Sequence, residues 1–142
     1  MNELKRYNFL VSEINGVFHD AAGMMGLSDS AMTVLYAICN SGDACPLQQI
    51  VRMTGTSKQT INSALRKLEA EGILYLETAG GRKKTVCLTE AGKELTRNTA
   101  GKLIQTENNI FASWPEEDRR KYLELTQRYL DQLREKIKEL QK

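Results

Sequence analysis

Histidine, tryptophan and proline are nearly missing from this chain of 142 residues, which holds one His, one Trp and two Pro. With His19 alone, a His-rich metal cluster is excluded, and no spacing pairs it with a cysteine as a nucleophile. The three cysteines, Cys39, Cys45 and Cys87, are odd in number and lack C-x-x-C spacing. That argues against a disulfide framework and against zinc; three half-buried thiols in a reducing compartment are expected, with redox sensing the lesser option. No apolar run is long enough to cross a bilayer. The start, Met1 to Arg6, lacks the apolar core of a signal peptide. Cytoplasmic residence without a membrane partner is the expectation. There is no glycine-rich phosphate loop and no paired carboxylate in a plausible pocket, so no catalytic site, metal or cofactor is expected. Net charge is only +2, so a global positive excess does not argue for nucleic acid; only its distribution could. Neither internal repeats nor low-complexity segments are present.

What is there is helical period. Residues 3–25 predict one long helix, with Leu4, Tyr7, Val11, Ile14, Phe18, Ala21 and Met25 in alternating steps of three and four. Leu10, Val17 and Met24 form a second stripe beside the first. That is more apolar surface than a helix packed on one side needs, and a second chain is the expected partner. A second helix runs from Ser28 or Asp29 to Asn40, capped by Ser28, with Ala31, Val34, Leu35 and Ile38 facing inward. A short third helix spans Pro46 or Leu47 to Thr54, and Gly55 makes a tight turn. Ser57 then caps a fourth helix whose apolar residues are Ile61, Leu65 and Leu68, stopped by Gly72. Two helices joined by a short glycine-bearing turn are the helix-turn-helix signature.

A β-hairpin follows, residues 73–78 and 85–88, with the turn at Ala79, Gly80 and Gly81 and basic Arg82, Lys83 and Lys84 at its tip. After a helix-turn-helix such a hairpin is a wing. Thr89 caps a helix expected to reach about Phe111, with a sparse apolar face that Thr99, Gly101 and Asn108 interrupt. Pro115 starts the last helix, with Glu116, Glu117 and Asp118 in its first turn and an apolar seam from Leu123 to Leu140. The fold class is mainly α with a small β-hairpin wing. Residues 28–89 form the winged helix-turn-helix, and 1–27 with 90–142 a helical dimerisation region.

Charge is placed unevenly. From Pro46 to Leu68 there is no acid, and from Thr78 to Thr89 again none, while Glu69, Glu71 and Glu77 fall between. Two purely basic segments in a near-neutral chain are the footprint of a phosphate binder. In the fourth helix, Gln59, Thr60, Asn62 and Ser63 are expected to meet base edges or nearby phosphates. Arg66 and Lys67 would clamp the backbone, and Ser57 with Lys58 would make the helix N-terminus a phosphate site. In the wing, Arg82, Lys83 and Lys84 would reach a minor groove or phosphates. The plain alternative is a solvated helix face and a hairpin kept soluble by lysines.

The order of elements, the segment S-K-Q-T-I-N-S-A-L-R-K-L-E-A-E-G-I-L from Ser57 to Leu74, and L-T-E-A-G from Leu88 to Gly92 resemble the MarR family of bacterial transcription regulators. The resemblance spans nearly the whole chain, though the terminal helices match only in type. It implies a homodimeric winged-helix regulator of double-stranded DNA, usually a repressor, with a small-molecule effector acting from a crevice beside the dimerisation helices. The chain departs from the family in its wing: Gly80 stands where D-x-R would place an acid, while Arg82 matches the arginine. The family's peroxide sensors carry a reactive cysteine in the first helix, and this chain has none there. A winged-helix module for protein contact, without sequence-specific DNA binding, is the alternative function.

Overall fold

The computed structural model describes residues 2–78 and 83–141. Ala79, Gly80, Gly81 and Arg82 lie outside the described residues, so the expectations placed on the wing turn do as well. The elements run α1 (Asn2–Met24), α2 (Asp29–Asn40), β1 (Ala44–Pro46), α3 (Leu47–Thr54), α4 (Lys58–Ala70), β2 (Leu74–Thr78), β3 (Lys84–Leu88), α5 (Glu90–Asn98), α6 (Ala100–Ser113) and α7 (Glu116–Leu140). They form two compact units, Met1–Ile104 and Gln105–Lys142. No single described helix is long and apolar enough to cross a membrane.

In the first unit α2 is the axis of packing. Met32, Val34, Leu35, Ala37 and Ile38 are all buried, so nearly every turn of α2 meets another element. Ile50 of α3 and Ile61, Ala64, Leu65 and Leu68 of α4 close over it, and Cys45, Leu74, Val86 and Leu88 complete the cluster from the sheet. Burying side chains of this size contributes about 1.5–3 kcal/mol each. The caps fall where the sequence places them. Ser28 accepts a hydrogen bond from the Ala31 amide at 3.1 Å, and Ser57 one from the Thr60 amide at 3.2 Å. Pro46 precedes α3 as its cap residue rather than occupying its first turn.

Two elements differ from the sequence expectation. The hairpin gains a third strand, β1, giving the antiparallel order β1-β3-β2, with Cys45 opposite Val86 and Leu76 opposite Val86 on the other side. The helix expected from Thr89 to Phe111 is two helices. It breaks at Thr99, whose backbone (φ −126°, ψ −94°) is not helical, while its hydroxyl donates to the Leu95 carbonyl at 2.8 Å.

The thiols are also more enclosed than expected, since Cys45 and Cys87 are buried and only Cys39 is half-buried. Burial pushes the Cys39 thiol up, and Asp43 adds to it; burial and then Glu77 do the same for Cys87. Raised thiols are poor nucleophiles, which opposes redox sensing at these two.

The terminal helices are barely covered. Ala22 alone is buried in α1, and no residue is buried in α7. Leu4, Tyr7, Leu10, Val11, Ile14 and Val17 of α1 are exposed, as are Leu123, Leu130, Leu133 and Ile137 of α7. Tyr7, Met24 and Tyr122 are exposed, whereas Phe18 packs edge-on against Tyr36 at 6.5 Å.

The second unit is built around the corner between α6 and α7. Phe111, Trp114 and Tyr122 pack in tilted and edge-to-face contacts with ring centroids 5.1–5.8 Å apart. Arg119 donates to the Trp114 carbonyl at 2.8 Å and to the Phe111 carbonyl at 3.4 Å, satisfying acceptors at the end of α6.

Candidate nucleic-acid interface

The turn that separates α3 from α4 is set by Gly55, with φ +63°, a backbone conformation that costs a residue bearing a Cβ. Thr54 closes it from behind, donating to the Val51 carbonyl and accepting from the Thr56 amide, both at 3.3 Å. α4 then starts on Ser57. Its hydroxyl accepts the Thr60 amide and donates to the Thr60 hydroxyl at 2.8 Å, so both groups serve the cap.

Burial divides α4 sharply. Ile61, Ala64, Leu65 and Leu68 face the core. Gln59, Ser63 and Arg66 are exposed and recur at i, i+4 and i+7, which places them together on the opposite face. Lys58 and half-buried Asn62 flank that face on one side, and Thr60 and Lys67 on the other. The outward face therefore combines amide and hydroxyl groups with guanidinium and ammonium groups. Such a set can accept and donate at base edges and neutralise phosphates; the exposed carboxylate of Glu69 stands on the Asn62 flank, in the last turn of the helix.

Arg52, Lys58, Arg66, Lys67, Lys83 and Lys84 are exposed, and among the described residues none is engaged in an ion pair. The ion pairs that do form lie elsewhere, as in Lys93–Glu90, Arg120–Glu116 and Arg128–Glu124. Unpaired cations are free to release counterions to a polyanion, whereas paired ones must first break a contact. Lys84 opens β3 opposite Thr78 of β2, and Lys83 directly precedes it. Arg82 lies outside the described residues.

Arg52, Gln48 and Gln49 were not among the expected site residues. All three are exposed on α3, the helix that crosses the backbone in helix-turn-helix docking. Their signal is the acid-free run itself, which begins at Pro46 and so includes α3.

The L-T-E-A-G segment is the joint that holds α4 to the hairpin. Thr89 donates its hydroxyl to the Gly72 carbonyl at 2.6 Å and its amide to the Ile73 carbonyl at 3.0 Å. The same hydroxyl accepts the Gly92 amide at 3.0 Å, capping α5. Gly92 lies so close to Ile73 that a Cβ there would sit 1.9 Å from the Ile73 carbonyl oxygen. Leu88, Thr89 and Gly92 thus tie the end of α4 to the end of the hairpin.

Among the described residues no group of three His, Cys, Asp or Glu side chains is placed to hold a metal ion. One hollow of about 380 Å³ opens at the α6–α7 corner, lined by Trp114, Asp118, Lys121 and Tyr122.

Compared with known proteins, residues 25–84 match the model of the MarR family. That stretch holds α2 to α4 and β2, and ends at the first residue of β3. No curated protein matches the chain. Among solved structures it is similar to NMB1585, a MarR family regulator from Neisseria meningitidis. The identity is 23%, with 100% of both chains covered and a TM-score of 0.80. It is similar to Bordetella bronchiseptica BpsR, whose DNA binding is regulated by 6-hydroxynicotinic acid, at 20% identity and a TM-score of 0.63, covering 87% of this chain and 98% of that one. It is also similar to S. aureus MepR in a DNA complex, at 17% identity and a TM-score of 0.66, covering 91% and 96%. The chain therefore has the fold of these MarR-family structures along its length, and its residues 25–84 match the MarR family model.

Proposed function

We propose that this protein is a transcription regulator that binds a palindromic operator as a homodimer and acts as a repressor released by a small-molecule ligand. The observation that carries the proposal is the outward face of α4: Gln59, Ser63 and Arg66 together, with unpaired cations around them and no acid from Pro46 to Leu68. In this reading α4 enters the major groove, and Lys83 and Lys84, with Arg82, meet the neighbouring backbone or minor groove. Residues 28–89 read DNA, and segments 1–27 and 90–142 supply the dimer surface.

The homodimer rests on the uncovered apolar side chains of α1 and α7. Side chains such as Ile14, Leu133 and Ile137 stand in water in the single chain, and a second copy is the partner that covers both helices. A two-fold pair places two reading helices on one face of a duplex, with half-sites about 34–36 Å apart. Release by ligand is supported by BpsR, whose DNA binding 6-hydroxynicotinic acid regulates. A ligand that prefers a spacing mismatched to the duplex lowers affinity by population shift. The site of action is cytoplasmic DNA.

The test is a selection of bound duplexes from a random pool at two salt concentrations. A palindrome with half-sites one helical turn apart is the expected product. Enrichment of nothing, with no salt-sensitive binding to bulk DNA, would refute the proposal and leave a winged-helix module for protein contact.

A further inference from the structure

The single tryptophan of this chain stands at the α6–α7 corner, between the end of α6 at Ser113 and Pro115, which opens α7. Arg119 braces that corner. Its guanidinium donates to the carbonyls of Trp114 at 2.8 Å, Phe111 at 3.4 Å and Ala112 at 3.5 Å. With the backbone held, the rings hold one another. Trp114 lies 5.1 Å from Phe111 and 5.6 Å from Tyr122, in tilted and edge-to-face contacts, the arrangement that aromatic quadrupoles favour.

Against these rings opens the hollow of about 380 Å³ walled by Trp114, Asp118, Lys121 and Tyr122. Tyr122 keeps 47% of its surface exposed and Trp114 is half-buried, so both rings still offer apolar surface. Asp118 and Lys121 are three residues apart, neighbours on one face of α7. The charges around them are engaged: Glu116 pairs with Arg120, Glu124 with Arg128, and Arg119 serves the carbonyls. Among the described residues neither Asp118 nor Lys121 forms an ion pair; the same is true of Glu117, which does not line the hollow.

One turn of helix thus presents a carboxylate, an ammonium and two ring walls. A ligand that is only a cation meets Lys121 as a like charge, and one that is only an anion meets Asp118. An uncharged ring sets an apolar body against two hydrated charges. The ligand that satisfies every wall carries an ammonium and a carboxylate side by side, next to a flat apolar ring.

We propose that the α6–α7 corner is a binding site for a free aromatic amino acid. The ring lies against Trp114 and Tyr122, the ammonium meets the Asp118 carboxylate, and the carboxylate meets Lys121 Nζ. Arg119 and the ring contacts set the walls beforehand, which reduces the ordering that binding must impose. Asp118, Lys121 and Tyr122 are all exposed, so the ligand exchanges readily, with a dissociation constant of about 1 mM. The site lies wholly within Gln105–Lys142, and its success or failure leaves the reading of DNA by α4 untouched.

Because Trp114 is the only tryptophan, its emission reports on the hollow directly. The experiment titrates the full chain with free L-phenylalanine, which does not absorb where tryptophan is excited. A saturable change in Trp114 emission is expected, with its half-point near about 1 mM. Phenethylamine lacks the carboxylate, hydrocinnamate lacks the ammonium, and free glycine lacks the ring. Each should bind at least about threefold more weakly, the scale of one exposed ion pair or ring contact. Asp118→Asn should weaken L-phenylalanine about threefold without weakening hydrocinnamate, and Lys121→Gln should do so without weakening phenethylamine. Both positions are exposed, and circular dichroism checks that the variants fold. Emission indifferent to L-phenylalanine up to about 10 mM, equal binding of the three analogues, or variants that bind like the native chain would overturn the proposal. So would emission that shifts on dilution of the protein yet ignores L-phenylalanine, since a second copy then covers the hollow.

Discussion

Gly92→Ala tests the joint between α4 and the hairpin. The added Cβ would sit 1.9 Å from the Ile73 carbonyl oxygen, 3.0 Å from its carbon and 3.3 Å from Leu88 Cδ2. The nearest atom is backbone, so no side chain can rotate out of the way. Either α5 moves away or the chain at Ile73 does, by more than 1 Å on the order of van der Waals contact. Both movements stretch the Thr89 bonds to Gly72 and Ile73. Overpacking of this kind costs about 1–3 kcal/mol, and each lost hydrogen bond about 1 kcal/mol more. The expected loss is about 3–5 kcal/mol, a large share of the 5–15 kcal/mol typical of a domain. Urea unfolding followed by circular dichroism measures it. Gly16→Ala is the control: it is exposed in the middle of α1 with nothing within 4 Å, and should gain about 0.5–1 kcal/mol. A Gly92→Ala protein within about 1 kcal/mol of the native chain would refute the close approach and the role given to the joint.

Three further outcomes follow from the same geometry. Arg66→Ala should weaken binding to every duplex and lower the slope of log affinity against log salt by about 0.9, the value for one phosphate contact; anisotropy titrations at several salt concentrations read it. Ile14→Glu on exposed α1 should shift the protein toward monomer in sedimentation at micromolar concentration while its circular dichroism stays native, because the side chain touches no core of its own chain. Cys39 and Cys87 should react slowly with iodoacetamide at pH 8 and faster as pH rises above the ordinary thiol range, since both thiols are held up by burial.

The readable parts of the fold were those with local physical causes. α2 and α4 follow from their own apolar period and from the hydroxyls of Ser28 and Ser57, each of which satisfies an amide three residues on. Thr89 was equally legible as a cap, but not as the residue that also binds Gly72 and Ile73, seventeen and sixteen positions back. β1 was invisible for a different reason. Three residues, Ala44 to Pro46, carry no period, and they are a strand only because β3 offers them an edge. The break at Thr99 showed as a cluster of poor helix residues, yet its position depends on a hydroxyl turning back to Leu95.

The candidate interface was legible because it is made of composition, an acid-free run on an amphipathic helix. Arg52 belongs to the same run, but the run alone does not say which of its cations face a duplex. His19 and Asp29 carried no signal: ten residues and a sharp turn separate them, and the fold alone brings their side chains together.

The claim at the centre is that the Gln59 face of α4 reads bases. The direct measurement is the random-pool selection run in parallel with the native protein and Gln59→Ala. The account predicts a palindrome from the native chain, and from the variant the same palindrome with preference relaxed at a position in each half-site, mirrored by symmetry, at a cost of about 1–3 kcal/mol per contact. An unchanged motif from Gln59→Ala, with unchanged affinity, would contradict it and place the reading of sequence elsewhere in the chain.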